Sequence, residues 1–151
     1  MEPGKLTHLI YTSAAAPGFE PADLRSILQL ARVKNARLSV TGILLYTAGS
    51  FFQVLEGAEA TLAELFAVIA RDPRHRRITK IIQEAVARRT FADWSMGYTE
   101  LAAGDLEAVE GLSDFFARGS SLADLGAGRA KKLLSAFGQG RWRTRLQAEA
   151  R

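Results

Sequence analysis

Ser50-Phe51-Phe52-Gln53-Val54-Leu55-Glu56-Gly57 sets one polar amide among large apolar side chains and reads as a β-strand. Successive side chains of a strand point to opposite faces. Phe51, Gln53 and Leu55 therefore share one face, and Phe52, Val54 and Glu56 the other. Both faces carry bulk, so both face a packed layer. A neutral amide that met only hydrocarbon would leave its donors and its carbonyl unpaired, at a cost of ~1–3 kcal/mol. Gln53 needs a polar partner, either a neighbouring protein group at a wet edge or a buried polar ligand.

Working upstream, Val40 to Tyr46 is β-branched and apolar, and Ala48-Gly49 makes a tight turn, so the two strands form a hairpin. Leu6 to Ser13 alternates, with Leu9 and Tyr11 on one face and His8 and Ile10 on the other. Pro21 suits the first turn of a helix, with Phe19 or Glu20 just outside it. Leu24, Ile27, Leu28 and Ala31 then recur with helical spacing, and the helix is expected to end near Asn35. Downstream, Leu62, Leu65, Phe66 and Ile69 mark a second helix, from Glu59 to about Arg71. Asp72-Pro73 stops it, because a residue before proline is pushed out of the helical region. A strand follows from about Ile78 to Val86, and the aromatic segment Phe91 to Tyr98 is expected to pair with it. The order β-α-β-β-α-β plus a last short strand is the split βαβ, ferredoxin-like arrangement of the α+β class, with two helices on one face of the sheet.

That sheet leaves its other face open, although Ile10, Phe52 and Val54 lie there. Leu106, Val109, Leu112, Phe115 and Phe116, then Leu133, Leu134 and Phe137, read as two further helices parted by the Gly119–Gly128 loop. At least one of them is expected to cap the open face; a helical dimer contact is the alternative. About 50 residues are too few for a second substantial core.

The chain has 151 residues, the size of one ordinary domain, and no cysteine, which excludes disulfides, thiolate metal sites and cysteine nucleophiles. No apolar run of signal-peptide or membrane-spanning length is present, so a soluble, cytoplasmic protein without a membrane partner is expected. Net charge is +4 but unevenly placed. From Arg129 to Arg151 seven Lys/Arg face one Glu; the remainder carries thirteen Lys/Arg against fifteen Asp/Glu. The basic tail fits a solvated or partner-facing helix better than a nucleic-acid surface, since no interleaved aromatic stacking platform accompanies it beyond Trp142. The sheet also lacks the exposed aromatic pair used for base stacking.

If the first strand neighbours the Gln53 strand at the centre of the sheet, Tyr11 and Gln53 both point into the layer between sheet and helices. Asn35 at the end of the first helix and Arg74-His75 after the second ring the same space. Each has an ordinary reading: Tyr11 as a core aromatic, Asn35 as a left-handed helix cap, His75 as an exposed turn residue. Together, a planar set rich in amide donors and acceptors suits a heteroaromatic ring.

Six blocks then recur in order between about residues 5 and 98: Leu9-Ile10-Tyr11-Thr12-Ser13, Ala31-Arg32 with Asn35, Thr41-Gly42-Ile43-Leu44-Leu45-Tyr46, Phe52-Gln53-Val54-Leu55-Glu56-Gly57, Asp72-Pro73-Arg74-His75 and Phe91-Ala92-Asp93-Trp94-Ser95-Met96. In this the chain resembles the BLUF family of flavin-based blue-light sensors, in its short, single-domain form. The resemblance implies a flavin-binding, light-sensing domain over residues 1–98, with 99–151 as a helical extension. It implies FAD between the two helices, with FMN or riboflavin as substitutes. Tyr11 matches the photoactive tyrosine, Gln53 the switching glutamine, and Trp94 and Met96 the pair that competes for the space beside Gln53. Asn35 matches the residue bonding the ring's pyrimidine edge. Ile27, Ala31, Lys34, Asp72, Arg74 and His75 match further flavin contacts. The resemblance also implies a non-enzymatic mechanism. Light drives an electron and then a proton from Tyr11 through Gln53, and recombination leaves the Gln53 amide rotated or tautomerised. The change passes to the last strand and the C-terminal helices, and so to a downstream protein or a homo-oligomer. Thr12 stands where the family often has Arg, which is expected to alter surface or phosphate contacts. Two rival readings are a small flavin redox enzyme, for which no nicotinamide fingerprint is seen, and a light-inert interaction module.

Overall fold

The computed structural model describes residues 5–47, 49–92, 96–100 and 126–138. Strand β1 (Leu6–Ala15) leads to helix α1 (Pro21–Leu38), the hairpin β2 (Thr41–Thr47) and β3 (Ser50–Ala58), helix α2 (Glu59–Ala70) and strand β4 (His75–Ala85). A short strand β5 (Gly97–Glu100) and a helix α3 (Ala127–Gly138) complete the described elements. The sheet runs β4-β1-β3-β2-β5. All pairings are antiparallel except that of β2 with β5, which makes this the expected ferredoxin-like α+β sheet.

Local chemistry explains the borders. Glu20 and Asp23 close a capping box at the start of α1, and Pro21 takes the first helical position. At the other end Ser39 adopts a left-handed φ of 58° and its N–H turns back to the Ala36 and Asn35 carbonyls. The helix therefore runs past its expected end, and Ser39 rather than Asn35 is the left-handed cap. Asn35 instead lies inside the last turns with its side chain buried. The start of α2 has no side-chain cap; the Glu59 N–H donates to the Lys5 carbonyl at 3.2 Å. Gly42 is needed where β2 meets β3, because a Cβ there would overlap the Val54 carbonyl oxygen.

Leu9, Leu28, Leu55, Leu62 and Leu65 fill the layer between the sheet and the helices. The opposite face holds Ile10, Phe52 and Val54 with no exposed surface, as the alternation requires. Part of the cover is α3, whose Ala130 and Leu133 are fully buried. Lys131 on α3 reaches Glu84 on β4 at 3.3 Å, and the same carboxylate accepts from or pairs with His8 Nε2 at 2.9 Å. The helix expected around Leu106 to Phe116 lies outside the described residues.

The last strand corrects the expectation. β5 pairs in parallel with β2, with Ile43 opposite Gly97, on the edge remote from β4. A parallel neighbour requires a crossover connection, and here it runs behind the sheet. Glu56, on the rear face of β3, holds it partway. The buried carboxylate accepts from the Thr90 N–H at 2.6 Å, the Phe91 N–H at 3.0 Å and the Thr41 hydroxyl at 2.9 Å. Arg89 adds bonds to the Ser39 and Glu56 carbonyls.

Candidate functional site

Antiparallel register sets Tyr11 on β1 directly opposite Gln53 on β3, and Gln53 in turn opposite Leu44 on β2. All three side chains face the helices, so the polar pair lies at the floor of a cavity between α1 and α2. The cavity measures about 640 Å³, within the range of roughly 300–1,000 Å³ usual for small-molecule sites. Ile27, Ala31, Lys34 and Asn35 line it from α1, while Asp72, Arg74 and His75 line its far end. Every cavity contact the sequence nominated is therefore on its wall. Met96 is not on the wall but is buried beside Gln53, and Trp94 lies outside the described residues.

At the floor the side chains form a short chain of bonds. The Tyr11 hydroxyl donates to Gln53 Oε1, and Gln53 Nε2 donates to Met96 Sδ at 3.3 Å. The three residues are buried, at 3%, 5% and 1% exposure. This orientation of the amide follows from its partners: a thioether only accepts, so the nitrogen must face sulfur and the carbonyl must face the phenol. Burial raises the Tyr11 pKa strongly, and the Asp72 charge adds to the rise. The phenol is held neutral.

Two rings flank that phenol edge-on, Phe66 at 5.5 Å and His75 at 6.2 Å between centroids. His75 is not an exposed turn residue but the first residue of β4. Its Nε2 lies 2.7 Å from the Ile69 carbonyl and its Nδ1 2.9 Å from the Ser13 hydroxyl. A carbonyl only accepts, so Nε2 carries the proton and Nδ1 accepts from Ser13. Beside it, Arg74 forks onto Asp72, with Nη2 2.6 Å from Oδ2 and Nε 3.0 Å from Oδ1. Those hydrogen bonds hold the Asp72 carboxyl below the usual carboxylate range and raise Arg74.

Ser13, Phe66 and Arg32 were given no role by the sequence. Ser13 carried a signal, since it shares the face of Tyr11 two residues on. In the sequence Phe66 shows only as part of the apolar stripe that marks the second helix. Arg32 Nε donates to the Met96 carbonyl at 3.0 Å, a pairing across 64 residues that no local pattern announces. Thr12 departs from its expectation. It is buried on the face away from the cavity, with a hydroxyl that has no partner among the described residues, so it touches neither surface nor any phosphate in the cavity.

A planar heteroaromatic ring with an amide-like edge fits this donor set: buried amides of Asn35 and Gln53, apolar walls and the Arg74–Asp72 ion pair beside His75. Residues 6–97 match the sequence profile of the BLUF family, described as sensors of blue light using FAD. Over 92 residues the chain is 37% identical to the photoactivated adenylate cyclase subunit beta of Euglena longa, covering 60% of this chain and 11% of that protein. It is 31% identical over 116 residues to the blue light- and temperature-regulated antirepressor BluF of Escherichia coli, covering 77% of this chain and 28% of that one. The chain thus spans about a tenth to a quarter of the length of these curated relatives. Among solved structures, BlrB, a BLUF protein in its dark state, superposes with a TM-score of 0.71 at 31% identity, covering 89% of this chain and 99% of that one. The cavity floor, the fold and the matched sequence agree: the chain belongs to the BLUF family of flavin-based blue-light sensors.

Proposed function

We propose that the chain converts blue light into a changed position of Met96 and β5, with Tyr11 and Gln53 as the photoactive pair. The observation that carries this reading is the unbroken series of bonds from Tyr11 through Gln53 to Met96. FAD would be held by Asn35 at the ring edge, by Ile27 and Ala31 along one wall, and by Lys34, Asp72, Arg74 and His75 around it. When bound, the flavin supplies a light-triggered oxidant at the cavity floor.

The rest is done by the protein's own groups. Tyr11, neutral and buried, gives up an electron; its phenol then becomes strongly acidic, and the proton has a path already in place, from Oη to Gln53 Oε1. Return of both the electron and the proton to Tyr11 leaves the amide rotated or tautomerised. A rotated amide turns its carbonyl toward Met96 Sδ, and sulfur has no proton to offer a carbonyl. The Gln53–Met96 bond is therefore lost whenever the amide turns. Met96 adjoins β5, so one side chain biases two packings of the output strand. The sensor role needs no turnover, and we read this chain as a non-enzymatic module. Residues 1–98 form the sensor and 99–151 its helical extension, which passes the change to a downstream protein or to a second copy.

The test is absorption spectroscopy of the purified protein loaded with FAD, before and after blue light. We expect a small red shift that reverses in the dark. Tyr11→Phe and Gln53→Leu should each retain the flavin and lose the shift; a full photocycle in either variant would overturn the assignment.

A further inference from the structure

We infer that Arg32 is the second anchor of the output strand, a positioning residue that holds Met96 by its main chain while Gln53 holds it by its side chain. The inference rests on the sensor reading. Two bonds reach Met96 from two different elements: Gln53 Nε2 on β3 donates to Sδ at 3.3 Å, and Arg32 Nε on α1 donates to the carbonyl oxygen at 3.0 Å. Only the first depends on the orientation of the Gln53 amide. When Gln53 turns, the thioether is released, but the carbonyl stays tethered to α1.

That division of labour has a direction. Arg32 is not a wall of the cavity, whereas its neighbours on α1, Ala31 and Asn35, are. The guanidinium thus ties β5 to the helix that grips the chromophore, without touching the chromophore. Met96 is immediately followed by Gly97, which opens the pairing of β5 with β2. A tether at the carbonyl keeps the start of β5 close to the position in which Sδ faces Gln53. Arg32 therefore limits how far β5 departs and shortens the way back. The other end of the crossover is fixed to Glu56 through Thr90 and Phe91, so Arg32 closes the second end of the same segment.

The experiment compares Arg32→Met, which keeps length and loses the donors, with Arg32→Lys, which restores a charged donor. In the FAD-loaded protein, Arg32→Met should leave the amplitude of the red shift unchanged and slow dark recovery about fivefold, the effect expected of losing one part-buried hydrogen bond of ordinary net strength. Arg32→Lys should return recovery to within about twofold. A second measurement needs no light response: hydrogen exchange of the β5 amides in the dark should accelerate about fivefold in Arg32→Met. Unaltered recovery together with unaltered exchange overturns the anchor, as does loss of flavin in Arg32→Met, which would make Arg32 part of the binding wall. If the unmodified protein shows no red shift, it is the sensor reading that fails, and the dark exchange still decides the role of Arg32.

Discussion

At the residue scale the site depends on keeping a phenol neutral and an amide oriented. Burial raises the Tyr11 pKa well above its ordinary value of 10.0, which has a consequence for pH. A group whose folded pKa is raised contributes stability that is complete below its unfolded value and is lost as pH rises toward the folded one. From about pH 7 to about pH 10 the phenol should stay protonated, so the amplitude of the light response should not titrate with Tyr11. Above about pH 10 the unfolded chain ionises first and stability should fall. Phenolate absorbance and denaturant unfolding, followed together across this range, check both statements; phenolate forming at Tyr11 near its ordinary value would contradict the burial argument. Tyr11 and Gln53 were legible in the sequence because strand alternation puts both on one face and an amide among hydrocarbon demands a partner. Thr12 was not, since a neighbour of Tyr11 in sequence is its opposite in space.

Among the elements, the hairpin, both helices and the first four strands follow from periodicity, proline and turn residues, and their borders fall within a few residues of expectation. β5 was misplaced for a physical reason: which edge a short strand joins is decided by its crossover, and the crossover is held by contacts distant in sequence, the Glu56 carboxylate among them. By alternation alone, Glu56 only shares a face with Phe52 and Val54. Its two oxygens in fact take up the N–H groups of Thr90 and Phe91 and the Thr41 hydroxyl. Glu56→Ala would remove this acceptor from all three donors, at about 1–3 kcal/mol for a buried donor left unsatisfied. We expect an overall loss of about 3 kcal/mol in chemical denaturation, with the β2–β5 edge exchanging hydrogen faster than β1 and β3. A loss below about 0.5 kcal/mol would show that the carboxylate is not what retains the crossover.

For the molecule as a whole, the C-terminal cap was foreseen from the bulk of Ile10, Phe52 and Val54 on a face that a bare ferredoxin-like sheet leaves open. α3 supplies part of that cover through Ala130 and Leu133, and its polar contact is the Lys131–Glu84–His8 group. The exposed ion pair contributes little, on the order of 0–1 kcal/mol, so apolar burial decides the docking. Leu133→Ala should cost about 2–5 kcal/mol of docking energy. Hydrogen exchange should then show α3 released while the flavin spectrum in the dark is unchanged, because the cavity lies on the other side of the sheet. A simultaneous loss of flavin would mean that the two faces are not energetically separate.

The sheet is a partition. The cavity with its Tyr11–Gln53 pair stands on one side of five strands, and α3 on the other. A lineage can therefore rewrite what leans on the rear face and keep the same eye, provided the rear of β3 and the tether at Met96 survive. The relatives' names, a cyclase subunit in one organism and an antirepressor in another, are what such a division of inheritance would leave behind.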